Sequence, residues 1–210
     1  MMSTQNEPQW LIWARALQAH AQDGLAYCKD PYDIERFSAV QQIAAEIMAT
    51  YAGIDAQQVL DLFKQETGYA TPKVDVRAVV FRGDALLLVR EISDGGWTLP
   101  GGWADVGEAP GEAAARETLE ESGFQVRASK LLAVYDRNRH GHPALPSYVY
   151  KLFFRCDLLG GVPTESRETD AVGFFREGEL PELSLTRVTP GEIKRMFEHH
   201  RHSNWPTDFD

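Results

Sequence analysis

The chain has 210 residues, of which 43% are hydrophobic and 25% are charged, and its formal net charge is −10. This size and composition fit one globular domain of moderate size or two small ones. The negative charge argues against a general nucleic-acid or membrane-surface binder, because both classes need exposed basic surface. The sequence has two widely spaced cysteines, no leader-like start and no apolar run near the ~18 to 20 residues that span a bilayer. We therefore expect a cytoplasmic protein with no membrane or DNA partner.

Apolar residues at helical spacing predict a helical N-terminal domain over residues 1–68. The apolar stripes consist of Trp10, Trp13, Ala14, Leu17 and Ala21, then Phe37, Val40, Ala44, Ile47, Met48 and Tyr51, then Val59, Leu60 and Phe63. This supply exceeds what a small bundle can bury, and surplus apolar surface marks interfaces. We expect a homodimer through these helices. The alternatives are packing against the rest of the chain and binding of another protein.

After a connector at residues 69–73, the pattern changes from helices to strands. The runs "VDVRAVVF" and "DALLLVRE", separated by "RGD", predict a hairpin, and "VRASKLLAVYDR", "SYVYKLFFRCDLL" and "AVGFF" predict further strands. Helices are predicted over residues 107–122 and 190–200. This order indicates an α+β fold over residues 74–205, an α-β-α sandwich with a mixed sheet covered by helices. Residues 206–210 are expected to be a tail.

Three glutamates share one turn of the predicted helix over residues 107–122. At 100° per residue, Glu117, Glu120 and Glu121 occupy an arc of about 100°, where like charges repel unless a cation offsets them. Arg116 stands four residues before Glu120, a spacing at which the two side chains pair. Carboxylate ligands without His or Cys select Mg²⁺ or Mn²⁺, and such ions serve phosphoanhydride hydrolysis. A solvated acidic helix is the alternative.

The stretch from Gly102 to Phe124 resembles the Nudix box, a glycine, a glutamate and an Arg-Glu-x-x-Glu-Glu-x-Gly run at set intervals. The matching residues are Gly102, Glu108, Arg116, Glu117, Glu120, Glu121, Gly123 and Phe124. Thr118 departs from the usual aliphatic residue, a change that concerns helix packing. The resemblance implies a Nudix fold that hydrolyses a nucleoside diphosphate linked to another moiety, with Mg²⁺ or Mn²⁺. The first 70 residues are further similar to bacterial Nudix hydrolases related to CDP-choline and ADP-ribose pyrophosphatases.

The same resemblance implies roles for the residues of the box. The implied metal ligands are Glu117, Glu120, Glu121 and the backbone carbonyl of Gly101 or Gly102. Gly101 is the preferred ligand, and Gly102 is then an outer partner of the ligands. Arg116 and Glu108 then brace the helix and the loop, as the outer partners of metal ligands do.

Residues outside the box are candidates for the general base and for substrate contacts. Glu168 is, by resemblance, an additional ligand or the general base, although a box glutamate is an alternative base and a solvated loop carboxylate an alternative role. Arg77 either pairs with Asp75 or contacts a substrate phosphate. Arg139 and His140 lie in the loop "YDRNRHGHPALPSY", where they are candidates for substrate binding or simply part of an exposed basic loop.

The competing functional class is a nucleotide-sensing regulator or interaction module without significant turnover. In a regulator of this kind the N-terminal region would bind DNA. Residues 1–70 contain four Lys or Arg against nine Asp or Glu, which gives −5. A DNA-reading helix needs a basic face, and an intact set of glutamates favours turnover. We therefore expect an enzyme that acts on a small nucleotide substrate.

Overall fold

The computed structural model describes residues 8–210, which form two compact units. The first unit holds the described chain up to Pro72 together with Ala144–Tyr148, and the second holds Lys73–Pro143 and Val149–Asp210. The first unit contains three helices, and the second contains a β-sheet with two helices. Among the described residues, no helix combines the length and the apolar character needed to cross a bilayer.

The helices of the first unit begin and end where local signals place them. They are α1 Gln9–Tyr27, α2 Pro31–Ala52 and α3 Ala56–Gln65. The Asp30 carboxylate caps α2 by accepting from the backbone N–H groups of Tyr32 and Asp33, and Asp55 caps α3 in the same way. Gly53 ends α2 in the left-handed region at φ 68°, which glycine adopts without a Cβ penalty.

The interior of the helical unit is built from apolar side chains. The buried set is Leu11, Ala14, Ala44, Ala45, Met48, Ala49, Val59, Leu60 and Phe63. Its alanines allow α1 and α2 to approach closely, because they place only a methyl group between the backbones. Trp13, which the sequence analysis placed on the α1 stripe, lies outside this core and is 59% exposed.

Residues 144–148 group with the helices, whereas the sequence analysis placed them with residues 74–205. The reason is a contact with α1. The Arg15 guanidinium donates to the Leu145 carbonyl, with 3.0 Å from Nε, and lies 5.9 Å from the centroid of the Tyr148 ring. A long-range contact of this kind leaves no pattern in the local sequence.

The second unit is organised around a seven-stranded mixed sheet. Its strands are β1 Lys73–Arg82, β2 Ala85–Glu91, β3 Trp97–Thr98, β4 Phe124–Asp136, β5 Val149–Gly161, β6 Thr169–Phe175 and β7 Asp208–Phe209. The order is β3-β2-β1-β5-β4-β7, and β6 pairs with β2. The β1–β5 and β4–β7 pairs are parallel and the other pairs are antiparallel. Strands β1 and β2 pair only near their hairpin turn, so they separate further along.

The two helices of this unit are α4 Pro110–Ser122 and α5 Pro190–Arg201. Successive residues of β1 point to opposite faces. Val76 and Val80 pack with Ala113 of α4, whereas Val79 packs with Ile193 of α5. Each helix therefore covers its own apolar cluster. The mixed sheet covered by helices, beside a helical N-terminal domain, confirms the predicted fold class.

The C-terminal residues extend the sheet. The sequence analysis set residues 206–210 apart as a tail, whereas Asp208–Phe209 form β7 and pair with β4. The Asp208 carboxylate accepts from Tyr135, at 3.0 Å, and from Arg195, and His199 Nε2 lies 3.0 Å from it. Two residues are too few to produce a strand pattern, so only these long-range contacts define β7.

Candidate active site

A glycine loop beside β1 forms one wall of the site. The N–H of Val76 donates to the Gly102 carbonyl and that of Ala78 donates to the Pro100 carbonyl, each at 2.8 Å. Gly101, between them, has φ 142°, and a Cβ there would lie 2.0 Å from the Val76 carbonyl oxygen. Only glycine fits this position, which explains the rigid bend that precedes the acidic helix.

Glu121 is the most deeply placed carboxylate of α4. Its side chain is buried, and its Oε2 accepts from the Gly101 N–H at 2.9 Å. Burial raises the pKa of Glu121 to about 8, although the positive charge of Arg77 and the Gly101 hydrogen bond oppose that rise. A carboxylate in this position needs nearby positive charge to be ionised at neutral pH.

Glu117 lies one turn before Glu121 along α4, and Glu120 directly precedes Glu121. A Cβ on Gly102 would stand 3.3 Å from the Glu117 carboxylate, so this glycine allows the loop and the helix to approach closely. The Glu117 side chain is 16% exposed and that of Glu120 is 57% exposed. Burial also raises the pKa of Glu117, with Arg116 acting in the opposite direction. The three carboxylates thus range from buried to exposed along one face.

Arg116 connects these carboxylates to the loop before the helix. Its NH1 lies 2.9 Å from Glu117 Oε1 and 3.0 Å from Glu120 Oε2, so the Arg116–Glu120 pair is present. Its Nε and NH2 donate to the Glu108 carboxylate at 3.0 Å each. A planar guanidinium can hold several carboxylates in fixed directions in this way. Arg116 thus connects Glu108 in the loop to Glu117 and Glu120 on α4.

The donor set fits a hard divalent cation. Every side-chain donor is a carboxylate oxygen, and burial of Glu121 and Glu117 leaves negative charge that a cation would neutralise. Within residues 8–210, however, no three His, Cys, Asp or Glu side chains already surround one ion position. Arg116 bridges Glu117 and Glu120, and Gly101 occupies one oxygen of Glu121.

Glu168 lies in a loop that contacts the end of the acidic helix. Its side chain is exposed, and its backbone carbonyl accepts from the Ile92 N–H at 2.9 Å. The next residue, Thr169, donates its hydroxyl to the Glu121 carbonyl at 2.6 Å. The structure thus places Glu168 one residue from a direct contact with a predicted metal-ligand residue.

The Arg77 guanidinium forms hydrogen bonds with neighbouring protein groups. Its Nε and NH2 donate to the two Asp75 oxygens at 3.0 and 2.7 Å, and its NH1 donates to the Leu99 carbonyl at 3.1 Å. The Arg77 and Asp75 side chains are both buried. This arrangement is the structural ion pair that the sequence analysis weighed against a phosphate contact. A guanidinium satisfied in this way contributes to the site through its charge, which lowers the pKa of nearby Glu121.

Arg139 and His140 stand at the end of β4, in and just after the short 3-10 helix Arg137–Arg139. The Arg139 side chain is exposed. His140 stacks on Tyr135, with ring centroids 3.8 Å apart, and its Nε2 lies 2.9 Å from Asp210 Oδ1. His140 is therefore held by protein groups, whereas Arg139 faces solvent.

The sheet register relates that loop to the glycine loop. Gly101 lies beside Arg77, which pairs with Phe153 of β5, and Phe153 pairs with Ala133 of β4. The 3-10 helix starts four residues after Ala133. Across the sheet the two loops are thus offset by about three strand spacings, ~14 Å at ~4.8 Å per strand, and the 3-10 helix lies four residues further along β4.

Several charged residues near the site escaped the sequence analysis. Glu91, at the end of β2, is buried and lies 2.7 Å from the Arg187 guanidinium. Burial raises the pKa of Glu91, and its charge contributes to the raised pKa of Glu121. A glutamate at a strand end gives no signal of burial, because such positions are commonly solvated.

A second buried group surrounds Lys151. Its Nζ lies 3.4 Å from Glu192 Oε2 and 3.9 Å from Asp75 Oδ2, and it also donates to the Arg187 carbonyl. His142 Nε2 lies 2.9 Å from the other Glu192 oxygen. The run "SYVYKLFF" contained a usable signal, since a lysine between apolar residues of a central strand needs a buried partner.

Comparison with known proteins agrees with this architecture. The model of the NUDIX domain matches residues 71–197, and that of the UDP-X-like, N-terminal oligomerisation domain matches residues 8–63. The chain therefore belongs to the Nudix family. It is a two-domain Nudix hydrolase with the Nudix fold, and its activity is that of a Nudix pyrophosphatase. The enzyme prediction is confirmed over the regulator alternative.

Three relatives illustrate this membership. A protein of Bacillus subtilis (strain 168), named "Putative ADP-ribose pyrophosphatase YjhB", is 43% identical over 97% of this chain and 98% of its own. A crystal structure of UDP-X diphosphatase is 31% identical, with a TM-score of 0.62, over 96% of this chain and 98% of that one. An ADP-ribose pyrophosphatase structure from Streptococcus suis 89-1591 is 40% identical, with a TM-score of 0.62, over 67% of this chain and all of that one.

Proposed function

We propose that this Nudix pyrophosphatase cleaves the internal pyrophosphate of ADP-ribose, with CDP-choline as the second candidate substrate. A water oxygen bonds to one phosphorus, the bridging P–O bond breaks, and ADP-ribose gives AMP and ribose 5-phosphate. The observation that carries the proposal is the Glu121 carboxylate, buried beside Gly101 at the end of an arc of three glutamates. Two of the three relatives above are named for ADP-ribose, which supports that substrate over CDP-choline.

The proposed cofactor is Mg²⁺ or Mn²⁺. Its ligands would be the carboxylates of Glu117, Glu120 and Glu121 and the backbone carbonyl of Gly101. The Gly102 carbonyl already accepts from Val76, which favours Gly101. When bound, the ion supplies positive charge to the phosphoryl oxygens and acidifies a water molecule.

The remaining residues have distinct proposed roles. Arg116, which is itself bonded to Glu108, fixes the orientation of the α4 carboxylates through the hydrogen bonds described above. Glu168 is the proposed general base or additional ligand, because its loop contacts the backbone of Glu121 through Thr169. Arg139 and His140 are proposed substrate contacts. Arg139 is exposed and free to move toward a phosphate, and His140 fixes the loop that carries it.

A homodimer through the N-terminal helices is the proposed assembly. Exposed apolar side chains on these helices include Ile12, Trp13, Ile43, Tyr51 and Leu62. Such surface marks an interface, and the matching family model describes an oligomerisation domain. Light scattering at micromolar concentration should give about twice the chain mass of 23.6 kDa. A mass near one chain would refute the dimer.

A substrate screen tests the proposed reaction. ADP-ribose, CDP-choline, a UDP-sugar and a nucleoside triphosphate are each incubated with Mg²⁺ or Mn²⁺, and the products are identified. We expect the nucleoside monophosphate from ADP-ribose at the highest kcat/KM, and no turnover after removal of the metal. Cleavage of triphosphates alone, with release of pyrophosphate, would contradict the proposal.

A further inference from the structure

A closed set of hydrogen bonds shapes the loop before β6. The Ser166 N–H donates to the Thr169 carbonyl at 2.8 Å. In return, the Ser166 hydroxyl oxygen accepts from the N–H groups of Glu168 and Thr169, at 3.1 and 3.0 Å. Both lone pairs of that hydroxyl are thus used, and Glu168 is enclosed in a compact turn.

The two hydroxyls of this turn form a directed relay. The Thr169 hydroxyl donates its single hydrogen to the Glu121 carbonyl at 2.6 Å. The Ser166 hydroxyl lies 2.9 Å from the Thr169 hydroxyl and must therefore donate to it. Thr169 is fully buried, so neither bond is exchanged for water at low cost. The relay runs from Ser166 through Thr169 to the backbone of α4.

Further bonds fasten the same loop on both sides. The Thr164 N–H donates to the Ser122 carbonyl at 3.0 Å, and the Ile92 N–H donates to the Glu168 carbonyl at 2.9 Å. The carbonyls of Glu121 and Ser122 belong to the last turn of α4, where intrahelical partners are missing. The loop thus caps the acidic helix at the residue that carries its buried carboxylate.

We propose that Ser166 and Thr169 are positioning residues that hold Glu168 against the carboxyl end of α4, so that Glu168 and Glu121 act on one substrate. This inference rests on the proposed role of Glu168. Because the backbone of this loop is already fixed, the exposed Glu168 side chain starts from a defined position. Ordering a free loop in each turnover would instead cost conformational entropy.

A double-mutant cycle tests the proposal. Thr169→Val keeps the shape of the side chain but removes the donor, and Glu168→Gln removes the carboxylate. We expect each variant to lower kcat about tenfold with little change in KM, and the double variant to be no worse than Glu168→Gln. We also expect Thr169→Ser, which keeps the donor, to restore kcat.

Thr118→Val is the matched control, since the Thr118 hydroxyl also donates to a carbonyl of α4, that of Ala114, at 2.7 Å, and is fully buried. Two results would overturn the proposal: equal losses of kcat in the Thr118 and Thr169 variants, or a loss of kcat in the double variant equal to the product of the two single losses. Either would show that Thr169 only caps the helix. If Thr169→Val does not fold, Ser166→Ala breaks the relay at its other end and must show the same pattern. If Glu168→Gln leaves kcat unchanged, the positioning role alone is overturned. If Glu121→Gln keeps full activity, the proposed function is overturned.

Discussion

In the helical unit, the described interior consists of apolar side chains apart from Gln41. The catalytic unit, which holds Lys73–Pro143 and Val149–Asp210, also has apolar clusters, but it buries ionisable groups among them: Asp75, Arg77, Glu91, Glu121, Arg137, Lys151, Glu192 and His199. Burial of apolar area can stabilise the helical interior, because the hydrophobic effect is not directional. The charged interior stabilises the fold only when every partner is present, so the two units should respond differently to loss of one charge.

The largest expected effect is that of Glu121→Gln. Removing the charge of this proposed metal ligand should lower kcat/KM ~10³-fold, about 4 kcal/mol of transition-state stabilisation, and weaken the response to Mg²⁺ or Mn²⁺. The fold should persist, because the amide keeps the shape of a carboxyl group that burial already disfavours as an anion. Metal titrations of activity, with circular dichroism to verify folding, provide the measurement. Glu112→Gln, an exposed glutamate of the same helix, is the control, and equal activity in both variants would refute the assignment.

Lys151→Met tests the buried charges of the catalytic unit. Removing the lysine leaves the buried Glu192 without its lysine partner, whereas Asp75 keeps Arg77, so the free energy of unfolding should fall by about 3 to 5 kcal/mol. The measurement is chemical denaturation monitored by circular dichroism. Lys64→Met, at an exposed position of the helical unit, should change the free energy by less than about 0.5 kcal/mol. Similar losses of unfolding free energy in both variants would show that the two units respond alike to the removal of one charge.

Acid should destabilise the catalytic unit through Glu192. Burial alone would raise the pKa of this carboxyl, but Lys151 and His142 outweigh burial and lower the pKa to about 2 from its ordinary 4.5. The stabilisation is therefore present above pH 4.5 and is lost as the pH falls toward 2, by about 3 kcal/mol in total. Unfolding free energies measured across this window should show the slope, and Glu192→Gln should flatten it. An unchanged slope in that variant would assign the acid sensitivity to other carboxylates.

The smallest expected change in the stability of a single chain is that of Trp13→Glu. The side chain lies outside the helical core, so the free energy of unfolding within one chain should change by about 0.5 kcal/mol or less. The proposed dimer should nevertheless dissociate, since a charge would enter its apolar interface. Light scattering distinguishes the two effects. Leu11→Ala, in the buried core, should instead lower the unfolding free energy by about 2 to 5 kcal/mol, and a dimer that survives Trp13→Glu would exclude this face as the interface.

Much of the acidic helix α4 could be predicted from local patterns. The arc of Glu117, Glu120 and Glu121 follows from the helical period, and Gly123 ends α4 in the left-handed region, where a glycine after a helix is common. A threonine three residues before a glutamate is a local pattern for a capping box, and Thr189 and Glu192 form one at the start of α5. The same Glu192 is also a partner of Lys151 and His142. Local rules thus identified the residue but only one of its contacts.

The sequence by itself determined the class of enzyme, the order of the main elements and the face that carries the three glutamates. These properties depend on spacing within a few residues, where the geometry of a helix or strand is known in advance. The tertiary structure decided between the two roles that the sequence left open for Arg77, which pairs with Asp75. It alone decided that Thr169 holds the end of α4 and that Asp208–Phe209 join the sheet. Contacts across 48 or more residues, such as Thr169 with Glu121, depend on which distant groups burial brings together. No local pattern contains that information, because many partners would satisfy the same buried charge or hydroxyl.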